Sequence, residues 1–314
     1  MISWAVAIVF ATQPLMATGN DLGVWFIRDT APGSIGATHE LCFQINNDKY
    51  QVVLPLSKRP VALAIHDQTL WFVGENESPI LYRARLVQDK ATGSFSTSPS
   101  ERANAVAQLA FEGKIKDIVF LDDDPILVIE NDGVQCFSVG GSSVTPLLHG
   151  EGNHVAVLGN SLIAVVVDDP QSVTTYTYQG DGWELGAKYE FEGNIHDLIV
   201  HDGWPLLVTS VEEGVKIVGL QQTEIANIAA FPMLSGRWAI VSSNGLHAIG
   251  VERNSTTTFF DIGWPSGKTS KPIQLTEFYG TVGLVELTVM VLTTVICIIM
   301  MISILRKKPK LDQK

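Results

Sequence analysis

One pattern recurs through most of this chain: a short apolar strand, a tight polar turn, then a second strand richer in β-branched and aromatic residues. It appears in VALAIHDQTLWFVGE (61–75), DIVFLDDDPILVIEN (117–131), HVAVLGNSLIAVVVDD (154–169) and HDLIVHDGWPLLVTS (196–210), and more loosely in RWAIVSSNGLHAIGV (237–251). GNDLGVWFIRD (19–29) supplies the turn and second strand of one further copy. With turns at Asp21, Asp67, Asp123, Gly159, Asp202 and Ser243, the copies are 46, 56, 36, 43 and 41 residues apart. Most copies continue with a third strand (ILYRARLV, VQCFSVG, TTYTYQG, VKIVGL) and a fourth (YQVVLPL, AVAQLAF, AKYEFEG, IANIAAF). Before residue 284 only Ser100–Leu109 reads as helical, for a turn or two. A four-stranded unit of this size cannot bury both faces of its sheet alone, whereas stacked neighbours bury them for one another.

Four strands on this period resemble the blades of the β-propeller superfamily, over about residues 21–275 and at the level of fold only. The blades carry no His-Gly and Trp-Asp pair of the WD40 kind, no kelch double glycine and no recurring calcium loop. The resemblance implies an all-β ring of about six four-stranded blades; two stacked sandwiches are the alternative. The first copy lacks an innermost strand, and a closing strand borrowed from Pro272–Phe278 would complete the ring. The longest spacing comes from Gln88–Asn104, rich in Ser, Thr and charge, which reads as a solvated linker, with a contact loop as the alternative.

The two ends of the chain have a different chemistry. Leu287–Leu305 is 19 residues without a charge, followed at once by Arg306-Lys307-Lys308-Pro309-Lys310. A helix of that length matches a hydrocarbon core of about 30 Å, and the basic stop favours the cytoplasmic side. At the other end an apolar run, Ile2–Phe10, precedes a polar break and small residues at Ala17 and Gly19, the pattern of a secretory signal cut ahead of Asn20. The expected organisation is a signal over 1–19, an extracytoplasmic domain over 20–278 and a stalk over 279–286. A transmembrane helix over 287–305 and a basic cytoplasmic tail over 306–314 complete it. That describes a single-pass type I membrane protein.

Charge excludes one class of partner. Five of the 21 bases and one of the 33 acids lie in 306–314, which leaves 16 bases against 32 acids before the tail. So acidic a domain repels phosphate backbones, and no basic patch offsets this, so nucleic acid is not an expected partner. Of the three cysteines, Cys297 lies in the apolar span, and Cys42 and Cys136 fall on non-neighbouring copies, where they read as free buried thiols.

Most residues that suggest chemistry have simpler readings. Asp122-Asp123-Asp124 suits a hard cation, yet it occupies the hairpin turn filled by HDQT, GNS and HDGW in other copies. The pairs His66-Asp67, His196-Asp197 and His201-Asp202 put neighbours on opposite faces of a strand, which does not make a dyad. No Gly-x-Ser-x-Gly elbow, His-Glu-x-x-His helix or phosphate loop occurs. The informative set is positional: each copy leads into its innermost strand through polar residues, namely Arg59, Lys116 with Asp117, Asn153 with His154, Asn194 with His196 and Asp197, and Arg237. In a propeller these converge on one mouth of the central channel, where they suit a polar or anionic ligand, or a protein partner at the rim.

The function expected from the sequence is therefore a membrane-anchored binding or scaffold module without a cofactor. The alternative is a metal-dependent hydrolase or lyase at the channel mouth, with Asp117 and Asp197 as ligands to a divalent cation such as calcium.

Overall fold

Each of the six polar turns proves to be a hairpin turn, and each hairpin opens a blade. The computed structural model describes residues 15–278 except 31–37, 47, 75–79, 92, 98–103, 109–114, 122, 130–132, 138–143, 149–151, 170–171, 179–181, 192, 212–213, 221–224, 233–235 and 253–255. Blade 1 comprises β1 (Ala17–Asn20), β2 (Gly23–Asp29), β3 (His39–Asn46) and β4 (Lys49–Leu56). Blade 2 comprises β5 (Pro60–His66), β6 (Thr69–Gly74), β7 (Ile80–Gln88), a short β8 (Phe95–Thr97) and β9 (Asn104–Gln108). Blade 3 is β10 (Ile115–Leu121), β11 (Asp124–Ile129), β12 (Gly133–Phe137) and β13 (Val144–Leu148). Blade 4 is β14 (Gly152–Leu158), β15 (Ser161–Asp169), β16 (Ser172–Tyr178) and β17 (Trp183–Glu190). Blade 5 is β18 (Asn194–His201), β19 (Trp204–Val211), β20 (Gly214–Leu220) and β21 (Ile225–Phe231). Blade 6 is β22 (Arg237–Ser242), β23 (Leu246–Val251), β24 (Thr257–Gly263), a two-residue β25 (Lys268–Thr269) and β26 (Ile273–Glu277). Strands within a blade pair antiparallel in chain order, except that β7 pairs with both β8 and β9 and β24 with both β25 and β26.

The core is not one mass but six interfaces, because each sheet has two apolar faces and meets a neighbour on each. Among the described residues six clusters of buried apolar side chains correspond to the six junctions. The junction of blades 2 and 3, for example, packs Ala62, Ala64, Trp71 and Val73 against Ile115, Ile118, Leu127 and Ile129. At the seam, Val24, Phe26, Cys42 and Tyr50 of blade 1 meet Ala239, Val241, Ile249 and Phe259 of blade 6. The ring therefore closes on itself, as four-stranded blades with two apolar faces require. Cys42 is a free thiol at 0% exposure in that seam, and burial pushes its pKa well up.

Closure differs from the sequence expectation in two ways. First, blade 1 has its own innermost strand, β1, drawn from residues read as the end of a signal. Leu15 is buried, its N–H donates to the Trp238 carbonyl (3.0 Å), and Ile27 N–H donates to the Met16 carbonyl (2.9 Å). A Cβ at Gly19 would lie 2.0 Å from the Ser242 carbonyl oxygen, so the small residue there permits β1 to approach β22. Residues 1–14, the apolar run Ile2–Phe10 among them, lie outside the described residues, but a cut ahead of Asn20 would remove most of β1. Second, β26 does not become an inner strand. It is the outer strand of blade 6, antiparallel to β24, and it also pairs parallel with β4 through Thr276–Lys49 and Glu277–Tyr50. Blades 6 and 1 are thus one continuous sheet across the seam.

Two local readings are also corrected. The insertion expected to be a solvated linker contains β8, whose Phe95 is 2% exposed against Trp25 and Phe43 of blade 1. Gln51 holds it from both sides: Phe95 N–H donates to Gln51 Oε1 and Gln51 Nε2 donates to the Phe95 carbonyl, each at 2.9 Å. The stretch read as a possible helical turn contains β9, since pairing to β7 overrides a weak local preference. The stalk, the transmembrane helix and the tail fall in 279–314, outside the described residues. Among the described residues no helix is long and apolar enough to cross a membrane.

Candidate functional site

A regular inner strand offers the channel little side-chain chemistry, because alternate residues enter the two neighbouring interfaces. Ile118 faces blade 2 and Val119 faces blade 4 in this way. The channel acquires functional groups through an irregularity that recurs. In blades 2 to 5 the first turn of pairing skips one inner-strand residue, between Pro60 and Ala62, Ile115 and Asp117, Gly152 and His154, and Ile195 and Asp197. Each is a bulge, which breaks the alternation and re-aims the side chains beside it. The skipped residues are Val61, Lys116, Asn153 and His196; those after them are Ala62, Asp117, His154 and Asp197.

These bulges line one mouth of the channel, around a cavity of about 830 Å³ whose lining includes Arg59, Lys116, Asp117, His154, Asn194, His196 and Asp197. Seven of the nine residues singled out from the sequence thus share one cavity. Asn153 holds the equivalent bulge position in β14, and its side chain lies outside the described residues. Arg237 is the exception. Its guanidinium pairs with Asp29, which His39 also meets at 3.2 Å, so it belongs to the outer rim of the seam. Blade 6 pairs β22 with β23 without a bulge, and so nothing turns Arg237 inward. A backbone constraint that sequence patterning passed over is Gly193, which has φ +106° and would place a Cβ 2.2 Å from the Ser210 carbonyl oxygen. Only glycine suits that approach into β18.

The cavity narrows to a second one of about 450 Å³, lined by the inner strands of all six blades and ending at the hairpin turns. Asp117 and Asp197 border both. They occupy equivalent places in blades 3 and 5 and bond alike: Ile118 N–H donates to Asp117 Oδ1 and Leu198 N–H to Asp197 Oδ1, each at 2.8 Å. Inner strands have an open edge toward the axis, so each carboxyl supplies an acceptor that the sheet does not. Burial raises Asp117 to about 7, opposed by that N–H. Burial, and then the charge of Asp117, raises Asp197 to about 8. His154, between them in the ring, is lowered to about 4 by burial and by the charges of Lys116 and His196. His196 is itself lowered by burial; its Nε2 lies 2.6 Å from Ser210 Oγ and its ring meets Trp238 edge-on at 4.8 Å. Below about pH 7 the waist therefore holds carboxyl groups that can donate, next to a neutral imidazole, with Lys116 and Arg59 at the mouth.

The metal-dependent alternative requires ligands that converge. Among the described residues one set of three His, Cys, Asp or Glu ligand atoms lies within 4.8 Å, and it consists of His66, Asp67 and Asp123, away from the mouth cavity that holds Asp117 and Asp197. One detail there departs from the strand argument: His66 Nε2 comes within 3.6 Å of Asp67 Oδ2. Asp67 is no longer on the strand but in the turn, at φ 45°, so the two side chains are free to meet.

No family model matches the chain, and no curated protein sequence does either. The similarity found is one of fold. The fungal lectin of Aleuria aurantia, described as a six-bladed β-propeller with a fucose recognition mode, superposes with a TM-score of 0.51 at 9% identity, covering 86% of this chain and 98% of that one. AofleA from Arthrobotrys oligospora gives 0.52 at 12% identity over 86% of this chain and 91% of that one. A chain of a nidogen/laminin complex gives 0.51 at 12%, over 82% and 91%. The chain is thus a propeller in fold, and at these identities the likeness extends no further.

Proposed function

We propose that this chain is a binding module that takes a polar, anionic ligand or protein segment in the channel mouth, held at a membrane surface by its apolar C-terminal stretch. The observation that carries the reading is the set of bulges in adjacent blades that turn Lys116, Asp117, His154, His196 and Asp197 toward one cavity. Cationic groups at the mouth attract an anion, and Asp197, whose carboxyl is raised to about 8, donates a hydrogen bond to it without opposing its charge. Similar folds are described as a fucose-recognising lectin and as part of a nidogen/laminin complex, so propellers serve binding in those proteins. The support here comes from the site.

The test is a thermal-shift panel of sugars, sugar acids, phosphates, amino acids and short acidic peptides. A stabilising ligand should lose its effect in Lys116→Gln and in His154→Ala. A panel whose hits are all indifferent to both substitutions overturns the site. The anchor is tested separately: alkaline extraction should leave the full chain in the membrane pellet and release a chain ending at Phe278.

A further inference from the structure

Away from the channel mouth, at the ring's opposite rim, two hairpin turns of adjacent blades bring three metal-ligating side chains together. His66 ends β5 of blade 2, Asp67 follows it in the turn, and Asp123 lies in the corresponding turn of blade 3. His66 Nε2 is 3.2 Å from Asp123 Oδ1 and 3.6 Å from Asp67 Oδ2. The imidazole is not loose: its face stacks on Phe120 at 4.5 Å and 5°, and Phe120 in turn packs on Trp71. The carboxylates are 82% and 94% exposed. Solvated side chains of like charge separate unless something positive holds them, and an exposed ion pair contributes little by itself.

The repeat supplies an internal comparison. Blade 5 carries the same His-Asp turn, His201-Asp202, with Asp202 at φ 49°. There the next blade offers serine, and His201 Nδ1 lies 2.9 Å from Ser242 Oγ while its ring meets Trp264. The same local structure thus occurs twice, once beside a second carboxylate from the neighbouring blade and once without it. Local turn chemistry accounts for the His-Asp pair in both and for Asp123 within its own turn; what it does not set is the meeting of the two turns, which puts a carboxylate beside His66 and a serine beside His201.

We propose that His66, Asp67 and Asp123 form a surface site for a borderline divalent cation such as Zn²⁺, linking blades 2 and 3. One imidazole nitrogen and two carboxylate oxygens are a donor set for four-coordinate zinc with water completing the shell. Calcium, which takes six to eight oxygens, is poorly served by it. Because the ligands come from two blades, the cation also opposes their separation, so binding raises thermal stability.

The experiment is calorimetric titration of the full-length chain, made without a histidine tag and stripped with chelator, using ZnCl₂ and in parallel CaCl₂. One zinc per chain is expected, with calcium at least tenfold weaker. Affinity should fall tenfold or more in Asp123→Asn, a surface change that leaves the fold intact, and be lost in His66→Ala. His201→Ala should bind as the parent does. Absence of saturable zinc binding, or binding that survives both Asp123→Asn and His66→Ala, overturns the proposal, as does calcium binding as tightly as zinc.

Discussion

Arg28 Nη2 lies 3.7 Å from Glu277 Oε2, joining the second strand of the first blade to the last strand of the sixth. The guanidinium also bonds Glu40 through Nε at 2.8 Å and reaches the Tyr50 hydroxyl, and it is buried. Tyr50 and Glu277 are themselves opposite one another in the β4–β26 pairing. One cation thus serves two partners in its own blade and a third across the seam, where strands distant in sequence close the ring. Arg28→Ala leaves two acids and a phenol without their shared donor, and it should cost about 3 kcal/mol. Glu277→Gln, at a more exposed position, should cost about 1 kcal/mol or less. Urea denaturation midpoints check both.

A chain starting at Asn20 lacks Leu15 and most of β1, and with them the bond to the Trp238 carbonyl and the packing on β22. It should be protease-sensitive, whereas a chain starting at Leu15 should resist proteolysis like the parent. Equal resistance of the two would mean that β1 is dispensable.

Phe95 anchors the blade 2 insertion on blade 1. Phe95→Ala should destabilise by about 3–5 kcal/mol, the range for a fully buried aromatic truncation. If the insertion were a solvated linker, the change would be silent in a thermal melt.

The channel acids give the protein a pH dependence with a definite sign. Asp117 and Asp197 have folded pKa values near 7 and 8, raised from about 3.8, so the folded state holds protons that the unfolded state releases. Their contribution to stability is fully present below the unfolded carboxylate pKa. It declines as pH rises to the folded values, by up to about 1.4 kcal/mol per pH unit for each proton. His154, lowered to about 4, acts oppositely: its contribution is present above 6.5 and is lost as pH falls toward 4. Stability should therefore fall between about pH 7 and 8, above the range in which His154 and His196, both lowered from 6.5, act in the opposite sense. Asp197→Asn should flatten that decline, and melts in a buffer series would show it.

Much of this arrangement was readable because a blade announces itself locally. The turn residues Asp21, Asp67, Asp123, Gly159, Asp202 and Ser243 sit in tight polar turns, with Asp67, Gly159 and Asp202 at positive φ. The polar residues before each inner strand were likewise visible as interruptions of apolar runs. The bulges that aim them were not, because an extra residue on one strand is defined only by its partner strand. Arg237 shows the consequence: it occupies the same place in its repeat as Lys116, but without a bulge it turns to Asp29.

The repeat is legible from the chain alone, because strand, turn and apolar face are short-range properties, set within about forty residues. Whatever depends on two distant segments meeting becomes visible only in the folded ring. Ala17–Asn20 looks like the end of a leader until its fit against β22 gives Gly19 a second reason to be small. Phe95 looks like part of a polar loop until Gln51 binds it. His66 is an ordinary strand-end residue until the next blade brings Asp123 beside it. Such contacts carry no local pattern, since the residues that require one another lie 44, 57 and more than 200 positions apart.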